Sequence, residues 1–152
     1  MIDREWRDRI ACALRRFASG RLDRAGFDRV MWGARHSVDP AVVALDDEIE
    51  WAFLNYGPNR LVGRHALTAE QRRNVARWVL FLRSSEPYTW PIRGSDIMAI
   101  IRAIGTLGDS WRANEEAWAR AGDRALWPFV SSSQLTRVAS VHPFVRYPDP
   151  AT

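Results

Sequence analysis

The residues best suited to chemistry form one short run, Leu45-Asp46-Asp47-Glu48-Ile49-Glu50. On a helix Asp46 and Glu50 stand one turn apart, and Asp47 is also a neighbour of Glu50. Paired carboxylates placed in this way can hold Mg²⁺ for attack on phosphate esters, provided a second acidic pair faces them from another helix. Glu115-Glu116 is the candidate for that role. A solvated helix face is the plainer reading of the same acids. His36, His65 and His142 each lack a second histidine or cysteine at ligand spacing, so no metal site is expected. Ser84, Ser85 and the serines at 131–133 have no G-x-S-x-G elbow to present them. They flank helix ends, where serine caps and turns the chain. Glycine-rich phosphate loops are absent. The chain is therefore read as a non-enzyme without metal or cofactor.

The elements that must position these residues are helical throughout. With 152 residues, 47% of them apolar and 26% charged, the chain has the size and balance of one globular domain. In residues 3–19, Trp6, Ile10, Ala13, Leu14 and Phe17 share one face, and Gly20 is a stop. A second helix starts at the N-cap Asp23, with Leu22 and Phe27 at the positions of a hydrophobic staple, and should end near Gly33. The third opens on Asp39-Pro40 and carries an apolar stripe from Val42 to Tyr56 before Gly57-Pro58. The fourth begins with the capping-box pattern Thr68-x-x-Gln71 and ends at Ser84-Ser85 ahead of Pro87. From Val75 to Leu82 it is apolar nearly all round, which predicts a central helix that others cover.

Isoleucines at 97, 100, 101 and 104 predict a helix over 95–107, and further helices are expected over 109–121 and 132–139. The tail 141–152 is proline-rich and irregular. The fold expected for residues 1–152 is one all-α domain, a compact bundle of about six helices with irregular Trp-Pro segments. The N-terminal stretch mixes acids with arginines and no window nears 18 apolar residues, so neither a secretory signal nor a membrane span is expected. The one cysteine, Cys12, cannot form an intramolecular disulfide and is compatible with a reducing compartment. A soluble, cytoplasmic protein follows as the expectation.

Charge is unevenly spread. All 22 basic residues are arginine, which reflects either a GC-rich genome or selection for the planar guanidinium fork. Residues 1–35 carry net +4, residues 36–59 net −5 and residues 60–102 net +5. An acidic third helix is thus set in a basic chain. In DREWRDR and RLDRAGFDR the arginines alternate with acids, as on a solvated surface laced with ion pairs.

LFLRSSEPYTWP, residues 80–91, is the least ordinary stretch. Pro87 and Pro91 hold Tyr88-Thr89-Trp90 extended, because the residue before a proline avoids the helical region. The aromatics then either seal a groove between helices or face a partner. Gly20-Arg21-Leu22 with Phe27, Leu80-Phe81-Leu82-Arg83-Ser84, Trp90-Pro91 and Trp127-Pro128-Phe129 together resemble a family of small bacterial proteins without an assigned activity. The chain departs from that pattern at Ser85-Glu86-Pro87. The resemblance implies no chemistry. It implies only that the Trp-Pro segments are built into the fold.

The leading expectation is a small bacterial protein-binding module, such as an immunity-type inhibitor or an adaptor. Asp46, Asp47, Glu50, Glu86, Tyr88 and Trp90 would form its surface for a partner with a basic face. The alternative is an arginine-dependent nucleic-acid binder. A helical Mg²⁺-dependent phosphohydrolase using Asp47, Glu50, Glu115 and Glu116 is the third.

Overall fold

The computed structural model describes residues 1–49, 52, 58–91 and 109–142. Within them the chain forms six α-helices and no strand: α1 Arg4–Ala18, α2 Arg24–Ala34, α3 Pro40–Ile49, α4 Ala69–Arg83, α5 Asp109–Ala121 and α6 Ser132–Val141. Short 3₁₀ turns occur at Gly63–His65 and Arg124–Leu126. The expected helix over 95–107, the C-terminal part of the third helix, Glu50 and the tail from 143 lie outside the described residues.

Local chemistry accounts for the helix starts. The Asp3, Asp23 and Ser131 side chains each accept from an N–H in the first turn of their helix. At α4 both bonds of the capping box are made: Gln71 N–H donates to Thr68 Oγ1 at 3.2 Å, and Thr68 N–H to Gln71 Oε1 at 2.9 Å. Helix α1 stops at Gly20, whose φ of +70° suits glycine. Helix α2 ends at Ala34, near Gly33 as expected. A Cβ at Gly33 would come within 2.6 Å of the Trp6 ring, so this glycine exists for close packing of α1 on α2.

Helix α4 is the centre. Val75, Trp78, Val79 and Leu82 join the core shared with α1, α2 and α3, while Leu80 and Phe81 pack with Phe129, Leu135 and Val138 on the other side. It runs antiparallel to α1, because Arg83 pairs with Asp8 near the start of α1. Phe81 stands edge-on to Phe129 at 5.1 Å and to Tyr88 at 6.3 Å.

The alternating charges of helices 1 and 2 make the expected surface pairs Arg4–Asp8, Arg9–Glu5 and Arg24–Asp28. Arg7 breaks that pattern. It is fully buried and forms a two-point pair with Asp39, Nε donating to Oδ2 at 2.6 Å and Nη2 to Oδ1 at 3.0 Å. Asp39 also accepts the N–H of Asp3 and, at the first turn of α3, that of Ala41. The third nitrogen of Arg7 donates to the Glu86 carbonyl at 2.8 Å, and Arg4 donates to the carbonyls of Ser84 and Leu82. Arg4 thus satisfies carbonyls that the end of α4 leaves unpaired, at the negative end of its dipole, while Arg7 holds the segment that follows.

Asp39 sets an acid limit on this arrangement. Burial alone would push its carboxyl up. The hydrogen bonds from Arg7, Asp3 and Ala41, together with the Arg7 charge, outweigh burial and hold it below its ordinary 3.8. At Glu86 the Gln134 hydrogen bond acts against burial, and Arg137 adds to it, so this carboxyl lies below its ordinary 4.5. Folded values below the unfolded ones mean that the stabilisation is complete above the ordinary values and is lost as pH falls through the lower folded ones. Urea midpoints should therefore fall steadily as pH drops from 5.5 to 3, with a shallower slope for Glu86→Gln. A flat profile would refute the assignment.

Candidate functional site

The structure puts three of the expected partner residues to internal use. Trp90 is only 3% exposed, and its Nε1–H donates to the Pro128 carbonyl at 3.0 Å. Its ring lies 5.0 Å from that of Trp118. Tyr88 is half-buried and its hydroxyl accepts from Trp127 Nε1–H at 3.2 Å. Glu86 is held by Gln134 Nε2 and Arg137 Nη2 of α6, each at 2.8 Å. Of the two uses expected for these aromatics, the buried Trp90 ring takes the one that fills a groove between helices. Held extended between two prolines, the segment lies over the exit of α4 and seals it against α6 and the 127–129 segment. Asp46 and Asp47 are partly exposed on α3.

Of the acids proposed for a phosphohydrolase, Glu115 pairs with Arg124 at 3.1 Å. Among the described residues no three His, Cys, Asp or Glu side chains gather as metal ligands would. Trp32, on α2, is 66% exposed with the Arg35 guanidinium 4.3 Å over its ring.

A different surface has the character of a binding site. Between α1 and α4 runs a groove of about 700 Å³, open to solvent. Leu67, Val75 and Val79 form its apolar floor. Arg15, Arg16 and Arg21 line it from the α1 side and Arg72 and Arg83 from the α4 side, with no acid lining it among the described residues. Arg83 pairs at 2.9 Å with Asp8, a carboxylate it shares with Arg4. Arg72 donates to the Leu67 carbonyl, and neither it nor Arg15, Arg16 or Arg21 forms an ion pair among the described residues. A cleft lined by one sign of charge over low-dielectric walls focuses its field on whatever enters. The exposed thiol of Cys12 also lines the groove. Beyond Cys12 and Arg16 a smaller recess of about 450 Å³ opens between α1 and α2, with Arg9 and Arg29 beside Trp6 and Leu22. By contrast, the recess of about 480 Å³ near Trp78 and Trp118 mixes Glu48 and Glu70 with Arg77 and Arg124.

Reading by segment missed this groove because it joins two basic stretches far apart in the chain. One local signal did exist. Arg15, Arg16 and Arg72 have no acid three or four residues away, unlike Arg4, Arg9 and Arg24. No family model, no curated protein and no solved structure matches the chain. Among the described residues, no helix is long and apolar enough to cross a membrane.

Proposed function

We propose that this protein is a non-catalytic binding module that captures an acidic stretch of another protein in the α1–α4 groove. It would serve in a bacterial cytoplasm as an immunity-type inhibitor or an adaptor. The observation that carries this reading is the set of arginines that, among the described residues, have no ion-pair partner along an apolar floor. The sign of the partner is the reverse of the one expected from Asp46, Asp47 and Glu50, because the arginines form a concave surface while Glu86, Tyr88 and Trp90 are spent within the fold. An exposed Cys12 thiol fits a reducing compartment.

Nucleic acid is the second reading, since the same guanidinium groups suit phosphates. Two features favour protein. The floor of Leu67, Val75 and Val79 has no use in tracking a phosphate backbone, and among the described residues no aromatic side chain lines the groove to stack bases. The triple variant Arg15→Glu, Arg16→Glu, Arg21→Glu should decide the matter in a nuclease-treated pull-down from the native lysate. A stoichiometric protein held by the parent chain should be lost by the variant, with affinity falling at least about tenfold, or roughly 1.4 kcal/mol. Retention of the same protein by the variant would remove the groove from the interaction. Recovery of material absorbing at 260 nm, and of no protein after nuclease, would replace the reading with the nucleic-acid one.

A further inference from the structure

Resting on the groove as the binding surface, we infer that its occupant is an acidic amphipathic helix, laid along the trough between α1 and α4. The first reason is hydrogen-bond inventory. The polar groups that line the groove are guanidinium donors, joined by the hydroxyl of Ser19 and the thiol of Cys12. An extended segment brings backbone N–H groups that need acceptors, and none of the six helices offers a strand edge to pair with. A helix satisfies its own backbone and asks only for apolar floor and charge at the rims.

The second reason is dimension. The α4 wall from Arg72 to Arg83 covers eleven residue steps, about 16 Å at roughly 1.5 Å per residue. That length accepts about three turns of helix, enough for apolar side chains at i, i+3, i+4 and i+7 over Val75 and Val79. The third reason is charge. Among the described residues Arg15, Arg16, Arg21 and Arg72 are without ion pairs, whereas Arg83 at the far end already shares Asp8 with Arg4. Carboxylates of the incoming helix therefore belong at the end marked by Arg21 and Arg72. An enclosed small molecule fits less well, because drug-sized ligands bury most of their surface and this trough is open.

Cys12 reports occupancy directly, as the sole cysteine, exposed and within the groove. Its alkylation by neutral iodoacetamide would be followed by mass spectrometry on the full chain. The probes are a 15-residue peptide with leucines at i, i+3, i+4 and i+7 flanked by glutamates, a scrambled peptide of the same composition, a single-stranded 20-mer DNA, and decanoate. The patterned peptide should slow alkylation about tenfold at ten times its Kd, by simple occupancy. The exposed-site double variant Arg15→Glu, Arg72→Glu should lose that protection. Equal protection by the scrambled peptide would overturn the helix while leaving an acidic protein segment as occupant. Protection by DNA or decanoate without the patterned peptide would overturn both the helix and the protein-binding reading. No protection by any probe would do the same.

Discussion

Replacing Arg7 by alanine should destabilise the protein by about 3–5 kcal/mol, the usual cost of removing one partner from a buried ion pair. That is a large share of the roughly 5–15 kcal/mol that holds a typical domain folded. The side chains of Arg7 and Asp39 are 0% and 1% exposed, so Asp39 would be left as a buried charge without its counter-ion. The damage extends past the pair. Arg7 also serves the Glu86 carbonyl and places its guanidinium 5.3 Å from the Phe81 ring centroid. The Glu86 carbonyl loses its donor as well. Arg4→Ala should cost much less, because that side chain is about a third exposed and water can replace it.

A double-mutant cycle separates pair from position. If Asp39→Asn and Arg7→Met act through one another, the double variant loses distinctly less than the sum of the two. Urea unfolding at pH 7 followed by far-UV circular dichroism gives all four stabilities. Additive losses would show that Arg7 and Asp39 act independently, and a cost below about 1 kcal/mol for Arg7→Ala would show a guanidinium still in water.

Arg7 also illustrates where reading a sequence succeeds and fails. The caps at Asp23, Asp39 and Thr68 were legible because each depends on residues within one turn. The buried character of α4 was legible because Val75–Leu82 carries a single polar side chain, Arg77. Arg7 was not, since DREWRDR has the same local alternation whether an arginine meets water or a carboxylate from Asp39. Its register nonetheless marks it: positions 7, 10, 14 and 17 follow the apolar stripe of α1. Trp32 is the opposite case, an apolar ring in helical sequence that ends on the surface. Helical periodicity fixes which residues share a face, but not which faces acquire a neighbour. The groove is the same problem at larger scale. Its arginines are ordinary until α1 and α4 are laid side by side, and only then does an apolar floor appear between them.

Trp90→Ala should cost about 3–5 kcal/mol, as expected when a large aromatic is removed from a core. The ring is buried against Trp118, and its N–H holds the Pro128 carbonyl. Trp90→Phe divides the two contributions. It retains much of the packing but leaves the carbonyl without that donor, for an expected loss of about 1–3 kcal/mol. These numbers also discriminate between the uses first considered for this segment. A tryptophan that anchors a partner would, on becoming phenylalanine, weaken binding and leave the urea midpoint in place. A tryptophan that seals the end of α4 would lower the midpoint and leave groove binding intact at temperatures where the variant is folded. The second pattern is expected, because the Trp90 ring faces Trp118 and Pro128 while the groove lies between α1 and α4. Measuring the urea midpoint and Cys12 protection on the same Trp90→Phe sample tests both halves at once. Lost protection with unchanged stability would return Trp90 to the binding surface and move the site away from the arginine groove.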